Sequence, residues 1–192
     1  MRPVGLSEAD LTFRLIRDRW ETNRSFRFAV SYAGLCAAFF IAYFVYTFPY
    51  SGLPYRIFTE YLRLYACAAG AVLHIFDPTV SVSGSTIAGR ASLAIVRGCD
   101  GTEVLILFTS AVLASSIYPW KLRALGVVAG AAVLLVANVV RICCLYYVSA
   151  RWPAAMDTWH FEIWPLILIT TALGLFLGWM RWAAERTRAR AS

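Results

Sequence analysis

A cysteine between two glycines is the residue of this sequence best suited to chemistry. Cys99 stands in the stretch VRGCDG, where a polar segment ends and an apolar run begins. If a helix starts near Thr102, its free N–H groups and positive end lie beside the sulfur and favour the thiolate. Asp100 and Glu103 would oppose a thiolate if they pointed at it, so we expect both to face water or the preceding polar segment.

An arginine inside an apolar run is the second candidate. Arg141 lies within residues 122–148, where a charged side chain costs about 2.5–3.5 kcal/mol on membrane-insertion scales. Asn138 precedes it on the same helix face and can orient the guanidinium or a substrate carbonyl. Alternatively, the two side chains only join helices by hydrogen bonds.

A histidine completes the set. His160 lies in the stretch DTWHFE, where Asp157 or Glu162 could hold its tautomer. Cys, His and Arg together suit nucleophilic acyl transfer: a thiolate attacks a peptide carbonyl, an imidazole protonates the leaving amine, and a guanidinium stabilises the oxyanion. The predicted site has three catalytic residues and two supporting ones: Cys99, Arg141 and His160, with Asn138 and Asp157.

The composition is that of an integral membrane protein. Of 192 residues, 60% are hydrophobic and 15% are charged, and the mean hydropathy is +0.63. Soluble domains carry about 25% charged residues. The net charge of +7 resides in short flanks of apolar runs, which is typical of positive-inside topology and not of nucleic-acid binding. The five cysteines form no CxxC or Cys/His spacing, so we predict no metal and no cofactor.

Five apolar runs predict an all-α membrane bundle. They cover approximately residues 28–48, 58–76, 102–118, 122–148 and 163–182. Residues 77–98 alternate short strand-like stretches with turns, which predicts a small β-hairpin outside the bilayer. We predict one membrane domain, 1–192, with these parts: a cytoplasmic amphipathic segment (1–25), an anchor helix and an elbow helix (26–76), the hairpin with a three-helix catalytic core (77–182), and a basic tail (183–192).

Basic residues predict the orientation and the number of spans. The N-terminal segment, the turn at Lys121 and Arg123 and the Arg-rich tail should be cytoplasmic, which places outside both the hairpin and residues 149–162, predicted from their Trp, Pro and Asp to form a loop. Strict alternation then requires four full spans, with residues 58–76 forming an interfacial or re-entrant helix. Five or six spans are the alternative. In either orientation, antiparallel connectivity brings the three catalytic candidates to one face.

These motifs resemble those of the exosortase/archaeosortase family. The stretch VRGCDG, the motif NVVRI at residues 138–142 and the downstream His160 are similar to the family pattern in order, spacing and helix placement. The resemblance runs from about residue 80 to residue 175, and the brief N-terminal part is most similar to the short type-H exosortases. Asp100 departs from the pattern, because that variable position often holds Asn or Ser.

The resemblance implies a cysteine transpeptidase or protease of the bacterial envelope. Such enzymes cleave the C-terminal sorting signal of exported proteins, which is a short motif, a transmembrane helix and a basic tail, through an acyl-enzyme. It implies Cys99 as the nucleophile, Arg141 as the oxyanion or thiolate partner and His160 as the acid/base. We therefore expect a multi-pass protein of the cytoplasmic (inner) membrane, with its active site on the extracytoplasmic face and with exported proteins and lipids as partners.

Two other functions fit parts of the sequence. A membrane thiol oxidoreductase would need a second cysteine on the outer face, and none of the other four is placed there. A non-enzymatic membrane assembly factor would use Asn138 and Arg141 only to join helices. The sequence leaves open the recognised motif, the acceptor nucleophile and the oligomeric state.

Overall fold

The computed structural model describes residues 20–47 and 52–189. The predicted amphipathic segment 1–25 and the end of the basic tail 183–192 therefore lie largely or partly outside the described residues. The described chain is mostly helical, as predicted, with a small sheet between the second and third long helices. Its main elements are α1 (Arg24–Thr47), α2 (Gly52–Phe76), β1 (Ser81–Ser83), β2 (Thr86–Ala88), β3 (Ser92–Ala94), α3 (Thr102–Ala114), α4 (Trp120–Arg151) and α5 (Trp164–Arg188).

Among the described residues, three helical segments are long and apolar enough to cross a membrane. They are Arg24–Val45, Trp120–Arg151 and Pro153–Arg188. Helix α3 has only 13 residues, or about 20 Å at 1.5 Å per residue, whereas a bilayer core is about 30 Å thick. The protein is thus a multi-pass membrane protein, and the count of four full spans stays a prediction.

The helix formed by the third apolar run ends earlier than the hydropathy of that run predicts. Helix α3 stops at Ala114, and a turn follows in which Ser115 donates a hydrogen bond from its hydroxyl to the carbonyl of Ala111 at 2.9 Å. Pro119 then precedes α4, and the residue before a proline is disfavoured in a helix. Residues 115–118 therefore form a turn although they continue the apolar run.

Helix α2 carries one buried face and one charged face. Its buried residues recur every three or four positions: Leu62, Tyr65, Ala66, Ala69, Gly70 and Leu73. This face packs against α4, β1 and β2. On the exposed side, Arg63 and Glu60 form an ion pair with Nε and Oε2 2.7 Å apart. Such an amphipathic helix suits the predicted interfacial position.

The predicted hairpin is a three-stranded antiparallel meander. Strand β2 lies between β1 and β3, and Ile87, fully buried, pairs with Val82 on one side and Leu93 on the other. The sheet is joined to α4 because Arg90 donates its backbone N–H to the Tyr146 hydroxyl at 2.9 Å. Arg90 also pairs through Nε with Oδ2 of the buried Asp77 at 3.1 Å.

Helix α4 contributes to both hydrophobic cores. Around its second half, Ile142 and Tyr146 pack with α2 and the sheet. Around its first half, Leu134 and Leu122 pack with α3 and α5, and Trp179 donates its indole N–H to the Leu122 carbonyl at 3.1 Å. The helix thus ties the sheet region to the α3–α5 pair.

The loop expected at residues 149–162 is largely helical, so that expectation was wrong. Helix α4 continues to Arg151, and the chain then forms a 3₁₀ turn (Pro153–Ala155), one helical turn (Met156–Thr158) and a π-helical turn (Trp159–Ile163) before α5. In the π turn, Trp164 donates its N–H to the carbonyl of Trp159, five residues back. Pro165 has no N–H and cannot make the bond that an unbroken α-helix would require there.

Candidate active site

The structure brings the predicted nucleophile and the predicted acid/base together. The Sγ atom of Cys99 lies 3.7 Å from Nε2 of His160, within hydrogen-bonding distance for sulfur. Cys99 stands in the turn before α3 and His160 in the π turn before α5, 61 residues later. Both side chains are half-buried. The pair therefore sits at the shared end of two neighbouring helices.

Two glycines shape the turn that holds Cys99. Gly98 has a φ of +89° and Gly101 a φ of +69°, a left-handed conformation that favours glycine. A Cβ atom at Gly101 would also stand 3.0 Å from the Asn138 side chain, which is tighter than ordinary packing. The backbone N–H of Cys99 donates to the Val96 carbonyl at 2.9 Å. Glycine is thus required on both sides of the cysteine.

Asn138 binds the backbone of Cys99 instead of orienting the guanidinium. Its Nδ2 donates a hydrogen bond to the Cys99 carbonyl at 3.1 Å, and its side chain is almost fully buried. This bond links α4 directly to the cysteine turn. A supporting role was predicted for Asn138, and the contact suggests that its partner is the protein backbone.

Arg141 is buried near Cys99 and His160, and its charge acts on both side chains. Only 4% of its surface is exposed, and its Nε atom has no hydrogen-bond partner within the described part of the chain. The same holds for Oδ1 of Asn138 and Nδ1 of His160. Buried polar atoms without partners are rare in native proteins and are frequent where a ligand or reacting group completes the set. The site therefore presents polar atoms available to a substrate.

Asp157 does not hold the tautomer of His160 in this structure. Its carboxylate is exposed, and no hydrogen bond joins it to the imidazole. Glu162 is exposed as well. Asp157 can therefore act on the histidine only through its charge.

Asp100 meets only part of the expectation that it faces water or the preceding polar segment. It does not face water, because its side chain is fully buried. Its Oδ1 accepts the Gly98 backbone N–H at 3.1 Å and the Tyr43 hydroxyl at 3.3 Å, and its Oδ2 accepts the Thr102 hydroxyl. An Asp two residues before a Thr at a helix start predicts the hydrogen bond between Asp100 and Thr102. No neighbouring residue in the sequence predicts the contact between Asp100 and Tyr43. Glu103 is exposed, as expected.

The electrostatic surroundings oppose a resting thiolate at Cys99. Burial raises the pKa of the Cys99 thiol above its ordinary value, and the charges of Asp100 and Glu103 raise it further. A hydrogen bond with the Val96 backbone and the charge of Arg141 lower the same pKa, but by less than burial raises it. The net effect of these groups raises the pKa of Cys99 and favours the thiol over the thiolate.

The other cysteines contribute neither a disulfide nor a metal cluster. All five cysteines lie in the described ranges and are free. Cys143, for example, donates its thiol to the Ala69 carbonyl at a distance of 3.7 Å. Across residues 20–47 and 52–189, no three His, Cys, Asp or Glu side chains gather closely enough to hold a metal ion.

Fold and site together define a multi-pass helical membrane protein with a Cys–His pair beside a buried arginine. The family model described as transmembrane exosortase matches residues 20–178, which is most of the chain. The chain belongs to the exosortase family, and the predicted membership is confirmed. No curated protein and no solved structure matches it.

Proposed function

We propose that this protein is a membrane cysteine transpeptidase or protease that cleaves the C-terminal sorting signal of exported proteins. The observation that carries the proposal is the separation of 3.7 Å between Cys99 Sγ and His160 Nε2, beside the buried Arg141. Membership of the exosortase family supports a sorting-related role in the membrane. The substrate is a protein with a short motif, a transmembrane helix and a basic tail.

The first step is activation of the thiol by the histidine. Since the pKa of Cys99 is raised, the sulfur is protonated at rest, and Nε2 of His160 is placed to accept that proton. The neutral imidazole must then carry its own hydrogen on Nδ1, which is buried. Proton transfer and attack on the substrate carbonyl give a tetrahedral intermediate with the oxygen negatively charged.

The second step is collapse of the intermediate. The imidazolium of His160 returns its proton to the leaving amine, and the C–N bond breaks to leave a thioester on Cys99. Arg141 donates to the oxyanion, and its unpartnered Nε is the group available for this bond. An acceptor nucleophile or water then attacks the thioester and restores the thiol.

Family membership and the distribution of charge support the proposed location. The protein resides in the bacterial cytoplasmic (inner) membrane with four full spans, and the cysteine turn and the sheet lie on the extracytoplasmic face. The sorting signal arrives on that face after export, where the enzyme meets its motif. The basic turn at Lys121 and Arg123 lies on the cytoplasmic side.

The other functions considered have less support. A thiol oxidoreductase would exchange electrons through two cysteines, and no disulfide among the described residues gives that function positive support. A purely structural role for Arg141 would require hydrogen bonds from the guanidinium to neighbouring helices, yet its buried Nε makes none to the described residues.

Substitutions at the three site residues test the proposal. The assay follows loss of a C-terminal tag from a co-expressed exported protein of the same genome that carries the motif, helix and basic tail. Cys99→Ala should abolish processing, and His160→Gln and Arg141→Gln should lower it about 100-fold or more, because each removes a group used in the transition state.

Two controls make the assay decisive. Cys143→Ala removes a cysteine outside the site and should process the substrate normally. With wild-type enzyme, a conjugate between Cys99 and the substrate that hydroxylamine releases would reveal the thioester. Normal processing by Cys99→Ala at normal enzyme levels would refute the proposed function.

A further inference from the structure

A buried hydrogen-bond network lies next to the cysteine turn. Its centre is Asp100, fully buried, which accepts bonds from Gly98, Tyr43 and Thr102. These donors come from the turn itself, from α1 and from the first residue of α3. A carboxylate withdrawn from water in this way is stable only when such partners satisfy it.

The network extends to α2 through two further tyrosines. The Tyr61 hydroxyl is 3.4 Å from the Thr102 hydroxyl and donates to the Tyr65 hydroxyl at 3.3 Å. Tyr61 and Tyr65 are also in edge-to-face contact, with ring centroids 5.1 Å apart. Helices α1 and α2 therefore both reach the cysteine turn through hydroxyl groups.

We propose that Asp100 is a positioning residue, which with Tyr43 and Thr102 holds the Cys99 turn against α1 and α3 so that the sulfur faces His160. The inference rests on the proposed function and deepens it, because it assigns a task to α1, which contributes none of the proposed catalytic residues. Asn138 binds the Cys99 carbonyl from α4, and Asp100 binds the Gly98 N–H within the turn and the Tyr43 hydroxyl from α1. The turn is thus connected to both α1 and α4.

The two oxygens of Asp100 bind different donors in this chain, so we expect an amide at this position to hold the turn less well, although Asn is common there in the family. Gly98 binds Oδ1 and Thr102 binds Oδ2, so both donors need an acceptor. Asn offers one acceptor and one donor, so the Thr102 hydroxyl would have to become an acceptor, and both hydrogen bonds would lose the negative charge that strengthens them. Weakening two charge-assisted hydrogen bonds corresponds to roughly a tenfold effect on an equilibrium.

The charge of Asp100 also opposes formation of the thiolate at Cys99. Its charge raises the pKa of the Cys99 thiol, as does that of Glu103, whereas Arg141 lowers it. An unhelpful charge beside the nucleophile is consistent with a residue kept for position. Removing it should therefore affect reactivity and catalysis in opposite directions.

The experiment compares substrate processing with chemical reactivity of the same sulfur. Asp100→Asn should lower kcat for the tagged exported substrate about tenfold or more, with KM unchanged, in proteoliposomes. The same variant should alkylate faster at Cys99 with iodoacetamide at pH 7.5, measured by peptide mass spectrometry, because the thiol pKa falls. The variant keeps His160 and Arg141, so substrate turnover and alkylation both report the loss of the Asp100 charge.

Two matched pairs separate positioning from folding. Tyr43→Phe should lower kcat several-fold, whereas Tyr32→Phe, on the same helix, should not. Thr102→Val should lower kcat, whereas Thr102→Ser keeps the hydroxyl and should restore it. Rates are normalised to the amount of enzyme in the membrane, so loss of folded protein is counted separately.

The proposal is overturned if Asp100→Asn, Tyr43→Phe and Thr102→Val turn over substrate at the wild-type rate per enzyme. It is also overturned if their losses only follow enzyme level, since the network would then serve folding alone. If Cys99→Ala processes substrate normally, the proposed function fails instead. In that case an unchanged alkylation rate in Asp100→Asn would separately reject the close hold on Cys99.

Discussion

As the proposed nucleophile, Cys99 is buried enough to need a base that removes its proton. Its pKa is raised chiefly by burial, so its thiolate fraction becomes large only at a pH above the ordinary thiol range. The proposed site therefore uses His160 to remove the proton as the substrate is attacked. The same burial protects the thiol from alkylation and oxidation between turnovers.

Arg141 has a measurable effect on this thiol. Because its charge lowers the pKa of Cys99, the Arg141→Gln variant should have a still higher pKa, and its alkylation should shift to higher pH. Arg141→Lys keeps the charge and should shift the profile less. The measurement is the rate of iodoacetamide labelling at Cys99 between pH 6 and 10.

A control on the same helix tests the locality of that effect. Lys121→Gln removes an exposed positive charge at the other end of α4 and should leave the profile unchanged. If Arg141→Gln shifts the profile to lower pH, the assigned direction of the interaction is wrong.

The π-helical turn is the element that aims His160. A π turn contains one residue more than an α-helical turn and commonly occurs at functional sites. Its formation here follows from Pro165, which cannot donate, and from the bond between Trp164 N–H and the Trp159 carbonyl. The extra residue changes the direction in which the imidazole leaves the helix.

Removing one residue from this turn should disable the enzyme without removing any site residue. Deletion of Phe161, an exposed side chain, would let the turn close as an α-helix and rotate His160 by about 100° relative to α5. Processing should fall to the level of His160→Gln. Phe161→Ala removes the edge-to-face contact between Phe161 and His160 but keeps the residue count, so it should retain most of the activity; equal activity of the deletion and the alanine variant would contradict this role.

The sheet depends on one buried carboxylate. Asp77 accepts bonds from the Thr79 hydroxyl at 2.7 Å and from its N–H at 3.1 Å, and the hydroxyl bond in particular lowers its pKa. A lowered pKa means that its stabilising effect is present above the ordinary carboxyl pKa and is lost as the pH falls through the lowered value. The sheet should thus loosen only in strong acid.

Asp77→Asn should loosen the sheet at neutral pH. Backbone amides of β1–β3 should exchange hydrogen faster by about tenfold, because the ion pair with Arg90 and the acceptor for Thr79 are weakened. The exposed Asp157→Asn provides the matched control and should exchange like the wild type. Unchanged exchange in Asp77→Asn would show that the hydrophobic packing of Ile87 holds the sheet alone.

For the molecule as a whole, the sequence predicted features set by neighbouring residues better than contacts between distant residues. The start of α3 at Thr102 and the strands before it follow from periodicity and turn residues. Antiparallel helices predicted that Cys99 and His160 would meet, and they lie within hydrogen-bonding distance. The bond from Tyr43 to Asp100 crosses 57 residues and has no local signal.

Hydropathy and composition also led to two wrong predictions of where helices lie. The third apolar run extends past Ala114, but the helix ends there because a turn precedes Pro119. Residues 149–162 contain Trp, Pro and Asp, and this composition indicated a loop although most of them form helical turns. An apolar run indicates burial or membrane contact. Where a helix begins and ends along that run is decided by tertiary packing.

Orientation in the membrane is the remaining prediction at this scale, and two introduced cysteines test it. Val96 is exposed in the turn before Cys99, and Lys121 is exposed at the start of α4. Positive-inside charge predicts that Val96→Cys reacts with an impermeant maleimide in intact spheroplasts and that Lys121→Cys reacts only after permeabilisation. Labelling is quantified by peptide mass spectrometry at each position, so the native cysteines remain. The reverse pattern would place the proposed active site on the cytoplasmic face, where an exported sorting signal could not reach it.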